Sequence, residues 1–169
     1  MNFTIRPAAR TDCKDISRMI RELAVYENMQ DQVKISHEEL ERDGFCDSPF
    51  YQSLVAEVPE DRGRAVVGYA IFYYTYRTWT GPTVYLEDLY VRPEFRGKGI
   101  GKAMMNTVAK VAKQRQCSCL HLSVLDWNQP SIDFYIAKGG RNLTATEGWQ
   151  FIRFEGDAFE NLVQGAPKN

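Results

Sequence analysis

The sequence predicts a mixed α/β fold on a single domain, a twisted sheet with helices on both faces. Three observations predict it. Stretches rich in β-branched and aromatic residues are interleaved with stretches of helical period, in the order strand, two helices, three strands, helix, strand, helix, strand. The three strand runs between Ser53 and Val91 are joined by turn-forming segments, the pattern of an antiparallel meander. The last of them, Thr83 to Val91, leads into the glycine-rich turn Arg96-Gly97-Lys98-Gly99-Ile100-Gly101, behind which the apolar period becomes helical.

Taken in order, Phe3 to Arg6 reads as a short strand closed by Pro7, which has no N–H to give a ladder. A helix follows with Thr11 or Asp12 as N-cap and Ile16, Met19, Ile20 and Leu23 on one face, running into Tyr26-Glu27-Asn28-Met29. The capping box Ser36-x-x-Glu39 starts a second helix that ends at Gly44. Pro49-Phe50 opens a strand through Ser53 to Val58, and Pro59 to Arg64 reads as a solvated hairpin loop. Ala65 to Tyr76 is a long aromatic strand, turned by Thr80-Gly81-Pro82 into the central strand Thr83 to Val91. Pro93 ends that strand and biases Arg92 towards extended backbone. If the strand is regular, Glu87 and Asp88 point to opposite faces.

Ile100, Met104, Thr107, Val108 and Val111 share a face of the helix that follows. Leu120 to Leu125 is a further strand, and Pro130 and Gly139-Gly140 bracket a helix over Ser131 to Lys138, with Phe134 on its core side. Trp149 to Phe154 reads as a last strand and residues 164–169 as a polar tail.

The chain's 169 residues suffice for one well-buried core and are short for two, so 1–169 is expected to be one domain. A net charge of −1 and a pI near 6.1 argue against a nucleic-acid partner, which leaves a basic balance. No run approaches the ~20 apolar residues of a membrane span, and the N-terminus enters a strand pattern without a signal-peptide core. A cytoplasmic protein is expected. Cys13, Cys46, Cys117 and Cys119 match no zinc spacing, Cys117-Ser118-Cys119 is one residue short of a redox pair, and Glu41 stands where a zincin's second His would be. Reduced thiols and no metal are expected.

A strand, a glycine turn and a helix aim free N–H groups and the positive end of the helix dipole at an anion. A Cβ would hold a phosphate away from such a backbone, and some of these glycines can need φ above zero. A Walker A loop fails here, because Arg96 stands at its first Gly and Ala103 at its Ser or Thr; the dinucleotide fingerprint fails at Lys102. The run Arg96 to Gly101 resembles instead the Arg/Gln-x-x-Gly-x-Gly/Ala pyrophosphate loop of the GNAT superfamily of acetyl-CoA-dependent N-acetyltransferases. Longer stretches narrow the resemblance. Asp43-Gly44-Phe45, Pro49-Phe50-Tyr51, Leu54 to Val58, Tyr85-Leu86-Glu87-Asp88 and Trp127 to Tyr135 look like the spermidine/spermine (diamine) acetyltransferases. Asp31 to Ser36 and Val124 to Gln129 are similar to the thialysine N-ε-acetyltransferases of that group. The likeness runs from Ile5 to about Gly156; the hairpin Glu60 to Ala65 and the tail after Phe154 depart from it.

The resemblance implies the single-domain GNAT fold, acetyl-CoA as co-substrate, a small primary amine as acceptor, direct attack in a ternary complex, and a homodimer. It implies that the pyrophosphate sits on the N–H groups of Arg96, Gly97, Lys98, Gly99, Ile100, Gly101 and Lys102. The backbone of Leu89, Tyr90 and Val91 would align the thioester where the central strand splays from its neighbour, and Asn128, Gln129, Pro130 and Ser131 match a further cofactor segment. An alkylamine with a pKa of about 10.4 is mostly protonated at pH 7, so a base is needed, and Glu87 is the candidate; a merely solvated carboxylate is the alternative. Tyr135 is the candidate acid for the leaving thiolate, against a packing role on an apolar helix face. Tyr26, Glu27, Glu87, His121, Leu122 and Ser123 match substrate positions; His121 fits a core histidine equally well. A protein N-acetyltransferase and a non-catalytic CoA-binding module remain the competing readings.

Overall fold

The long aromatic run forms the central span of a five-stranded sheet, in a computed structural model that describes residues 2–168. The chain divides between Leu125 and Asp126 into two compact units. In the first, the sheet order is β1 (Thr4–Pro7), β2 (Gln52–Glu60), β3 (Gly63–Arg77), β4 (Gly81–Val91) and β5 (Leu120–Leu122). The first four strands are antiparallel neighbours, as the meander predicts, and β5 returns parallel to β4 after a helical crossover.

Helices cover both faces of this sheet. On one, α3 (Ile100–Gln114) lays Ile100, Met104, Val108 and Ala112 against Leu54, Ala56, Ala70, Phe72, Val84 and Leu86. On the other, α1 (Cys13–Tyr26) and α2 (His37–Gly44) bring Ile16, Met19 and Leu40 onto Val55, Val66, Tyr69, Ile71 and Tyr90. Alternation along β3 makes the division: Tyr69 and Ile71 face α1, Ala70 and Phe72 face α3.

Local details depart from the expectations for identifiable reasons. Pro7 is the last residue of β1 rather than a stop, because β1 is an edge strand and one missing donor is tolerated there. Asp12 precedes α1 but makes no side-chain cap; its carboxylate accepts the Ala9 N–H at 2.6 Å and the Arg6 guanidinium at 2.7 and 3.0 Å. Ser36 does cap α2, accepting the Glu39 N–H at 3.2 Å. The loop expected at Pro59 to Arg64 tightens to the two-residue turn Asp61-Arg62, with Glu60 paired to Gly63, as two-residue turns match strand twist best.

The second unit is helical, with α4 (Gln129–Ala137), α5 (Leu143–Glu147) and α6 (Asp157–Gln164). The strand expected at Trp149 to Phe154 is not formed. Its apolar residues, Phe151, Ile152 and Phe154, are exposed and have no ladder partner among the described residues. Phe134, expected in the core, is only partly buried. All four cysteines are free thiols, Cys13 and Cys117 buried.

Candidate active site

The site is built on an irregularity of β4. Ile71 of β3 pairs with Asp88 while Phe72 pairs with Leu86, so Glu87 is an extra residue, a β-bulge. The bulge breaks the two-residue alternation. Val84, Leu86, Leu89 and Val91 all turn towards α3, and the three-residue step from Leu86 to Leu89 sends both Glu87 and Asp88 to the opposite side. Their partners establish this: the Tyr73 hydroxyl donates to Glu87 Oε2 at 2.9 Å and the Tyr69 hydroxyl donates to Asp88 Oδ2 at 2.9 Å, and Tyr69 and Tyr73 lie four residues apart on one face of β3. The expectation of a regular strand, with Asp88 on the face opposite Glu87, is thus overturned.

The same bulge opens the strand edge. The parallel ladder to β5 joins Val84, Tyr85 and Leu86 to Leu120, His121 and Leu122 and goes no further. β5, expected to run to Leu125, therefore ends at Leu122, where its partner bends away. Beyond Leu86 the side of β4 that faces away from β3 carries no strand among the described residues. The backbone of Leu89 and Val91 lies along this opening, although their side chains pack on the α3 cluster and Tyr90 is buried on the α1 side. The splay implied by the resemblance is present.

Tyr73 and Tyr85, paired across the sheet, stack with ring centroids 5.4 Å apart; His121 is in register beside Tyr85, whose hydroxyl is 2.5 Å from Ser123 Oγ. Leu122 is partly buried in the α3 cluster, whereas Ser123, just past the end of β5, is exposed. Burial and the nearby Arg77 hold His121 below the ordinary histidine range, which favours the neutral ring. Tyr26 ends α1 half-exposed, and Glu27 is its C-cap.

Electrostatics tie these elements together. Burial pushes the Asp88 carboxyl up to about 6 against a pull down from the Tyr69 hydroxyl; the charges of Glu87 and Glu27 push it up further. Burial likewise raises Glu27. Burial, then the hydrogen bond to Glu87, raises the Tyr73 phenol, which keeps it a donor. Glu27, Glu87 and Asp88 make no ion pair with a Lys or Arg among the described residues. One face of the bulge is therefore a field of carboxylates backed by aromatic rings, an environment for a cation.

At the far end of β4 the glycine turn opens α3. Gly97 has φ +76° and Gly99, the N-cap of α3, φ +87°, and a Cβ built on either meets nothing within 4 Å. Both positions need glycine for their backbone, and the space before them is open, as a cradle for a phosphate requires. Arg96 folds back, its Nε donating to the Val91 carbonyl at 2.7 Å and its guanidinium lying 5.4 Å over the Tyr90 ring. This clamps the turn to the strand end. Lys98 and Lys102 are exposed beside it, whereas the Ile100 side chain is in the core, leaving its backbone alone for a ligand.

In the second unit Asn128 is buried and caps α4, its Oδ1 accepting the Ser131 N–H at 3.4 Å; Gln129 bonds Asp133 at 2.7 Å. Tyr135 is partly buried, edge-on to Phe134 at 5.4 Å. Residue-type reasoning passed over Asp88, Tyr69 and Tyr73. What brings them together is the β3–β4 register, which a local reading of either strand does not contain.

Comparison with known proteins agrees with this geometry. The profile of the Acetyltransferase (GNAT) family matches residues 20–139. A thialysine N-epsilon-acetyltransferase of Bos taurus is 52% identical over 163 residues, covering 94% of this chain and 96% of that protein. Spermidine/spermine N(1)-acetyltransferase-like protein 1 of Homo sapiens is 43% identical over 155 residues, which is 90% of this chain and 22% of that longer protein. Among solved structures, an integron cassette protein of V. cholerae superposes with a TM-score of 0.77 at 24% identity, covering 98% of this chain and 99% of that one. By its splayed central strand, its glycine cradle and these relatives, the chain belongs to the acetyltransferase (GNAT) family, enzymes that transfer an acetyl group from acetyl-CoA.

Proposed function

We propose that this enzyme acetylates a small primary amine, thialysine or a diamine or polyamine, by direct attack in a ternary complex. The observation that carries the reading is the carboxylate face at the β4 bulge, lying beside the strand opening and without a cationic partner of its own. Relatives named for thialysine and for spermidine/spermine support the substrate class.

Acetyl-CoA supplies a thioester whose acyl carbon accepts a nucleophile. The chain's own residues do the rest. The N–H groups of Arg96 to Lys102 hold the pyrophosphate, the backbone of Leu89 to Val91 orients the pantetheine end, and Asn128 to Ser131 add a second cofactor contact. Glu87 takes the proton that keeps an alkylamine unreactive; Tyr73 holds one of its oxygens by hydrogen bond. The Tyr73–Tyr85 stack flanks the cation. Tyr26, Glu27, His121 and Ser123 line the acceptor's path. The Tyr135 hydroxyl gives its proton to the departing sulfur.

The reading includes one functional domain, since the family match runs across the boundary between the two units. It also includes a cytoplasmic homodimer; the exposed Phe151, Ile152 and Phe154 are apolar surface that a second copy can cover. No helix among the described residues is long and apolar enough to cross a membrane. The test is a competitive turnover assay with acetyl-CoA and thialysine, lysine, putrescine and spermidine. Acetylation of at least one is expected, and CoA release with none of them would refute the reading.

A further inference from the structure

Arg92 stands between β4 and the glycine turn, and no part of the chemistry proposed above uses it. The turn has reason to be held. Gly97 and Gly99, both at positive φ, leave its backbone freer than other residues would, and a cradle of N–H groups binds an anion best when it is fixed beforehand. Phe95 packs on the α3 cluster, and Arg96 donates to the Val91 carbonyl. Towards α1 the contacts come from Arg92. Its N–H donates to the Val67 carbonyl of β3 at 2.9 Å. Its guanidinium reaches two carboxylates on different elements. Nη2 lies 2.9 Å from Glu94 Oε1, in the 3₁₀ turn Pro93–Phe95 that leads to Arg96. Nε lies 3.8 Å from Glu22 Oε1, on α1. An Arg fork suits this double task, because its donors are fixed relative to one another.

The two contacts are unequal. At 3.8 Å the Arg92–Glu22 pair has Coulomb attraction but no hydrogen bond, which in a charged pair needs about 2.7–2.9 Å. Yet Arg92 Nε and Glu22 Oε2 are both shielded from solvent and have no hydrogen-bond partner among the described residues. A buried donor and a buried acceptor of opposite charge, side by side and unbonded, cost free energy for as long as they stay apart. Both side chains are about one-third exposed as a whole, so neither is locked into the core. Closing the gap takes a shift of about 1 Å. The same guanidinium holds Glu94, so closure draws the 3₁₀ turn towards α1.

We propose that Arg92 is a positioning residue for the cofactor: it closes onto Glu22 when a pyrophosphate settles on the glycine turn, and so latches the turn to α1 in its binding form. This rests on the reading of Arg96 to Lys102 as the pyrophosphate cradle. The latch acts on acetyl-CoA affinity and leaves the transfer step to other residues.

The experiment uses the full-length chain with Glu22→Gln, which is near-isosteric, and Arg92→Lys, which keeps the charge and loses the fork. Each variant is first shown to be folded by circular dichroism, and acetyl-CoA binding is then measured by calorimetry. Both variants are expected to bind about 3- to 30-fold more weakly, the scale of a charge-assisted hydrogen bond in a partly exposed pair. KM for acetyl-CoA rises in step, while kcat at saturation and the amine KM stay near parental values. The double variant binds no worse than the weaker single one, since each removes the same contact. The sign for Glu22→Gln is decisive. Charge alone would make this variant hold the cofactor's phosphates more tightly, because a negative charge near them is gone. A merely structural ion pair would lower Tm and leave the acetyl-CoA Kd alone. Unchanged or tighter binding by folded Glu22→Gln, parental affinity in Arg92→Lys, or a loss shared equally between the two substrates' KM values would each overturn the proposal. Gly99→Val is measured alongside. If it binds acetyl-CoA as the parent does, or the parent does not bind at all, the cradle reading falls and the latch with it. If Gly99→Val weakens binding and the two latch variants do not, the latch alone falls.

Discussion

Asp88 is a partly buried carboxylate with no cationic partner among the described residues, so removing its charge stabilises the fold, and the gain has a defined pH window. Folding raises its pKa from 3.8 to about 6, chiefly by burial. A carboxyl whose folded pKa exceeds its unfolded one binds more protons when folded, so folding weakens as pH rises between the two values. The ionised group then costs the folded state about 3 kcal/mol, from roughly 1.4 kcal/mol per pH unit of displaced titration. The cost is absent below pH 4, grows between pH 4 and 6, and is constant above. Asp88→Asn mimics the protonated carboxyl in size and in accepting the Tyr69 hydroxyl. The variant is thus expected to match the parent at pH 4 and to exceed it by up to about 3 kcal/mol at pH 7. For a chain of this size that ceiling corresponds to a rise in Tm of about 6–12 °C. Urea unfolding of both proteins at pH 4, 5, 6, 7 and 8, without amine or acetyl-CoA, measures the window. A variant less stable than the parent at pH 7, or a difference that is flat with pH, would refute the placement of Asp88 as a partly buried charge without a cationic partner.

Gly99→Val places a β-branched residue at φ +87° and a side chain in the open space before α3, so acetyl-CoA affinity should fall by about 10- to 100-fold; calorimetry on folded protein with unaltered affinity would remove the cradle. Glu87→Gln should cut turnover by about 10²–10⁴ at pH 7 and progressively less as pH approaches the amine's own pKa; a loss confined to KM and flat with pH would make Glu87 an anchor instead of a base. Tyr135→Phe keeps the ring against Phe134 and loses only the hydroxyl, so single-turnover acetyl transfer should slow by about 10²–10⁴ with acetyl-CoA affinity preserved. A parental single-turnover rate would assign the acid to water or another group.

Much of this protein is written locally. The capping box at Ser36, the apolar stripe of α1, the change of period at Gly99 and the glycines needing positive φ each depend on a few neighbouring residues, and each is where the sequence alone puts it. The left-handed turn at Gly97 and Gly99 is legible for the same reason, its backbone being carried by residue type and spacing. Pairing is different, because a strand exists only if another segment supplies its ladder. Trp149 to Phe154 has strand composition and no partner among the described residues, and β5 loses its partner at Leu122 when β4 bends. Only the register between β3 and β4 puts the extra residue of the bulge at Glu87. That register is a compromise among side chains far apart in sequence: Phe72 and Leu86 must both reach the α3 core, and so must Ala70 and Leu89, though the first pair and the second are two residues apart on β3 and three on β4. The mismatch is absorbed by one unpaired residue. It turns Asp88 to the same face as Glu87, and no local reading of Leu86-Glu87-Asp88-Leu89 places it there.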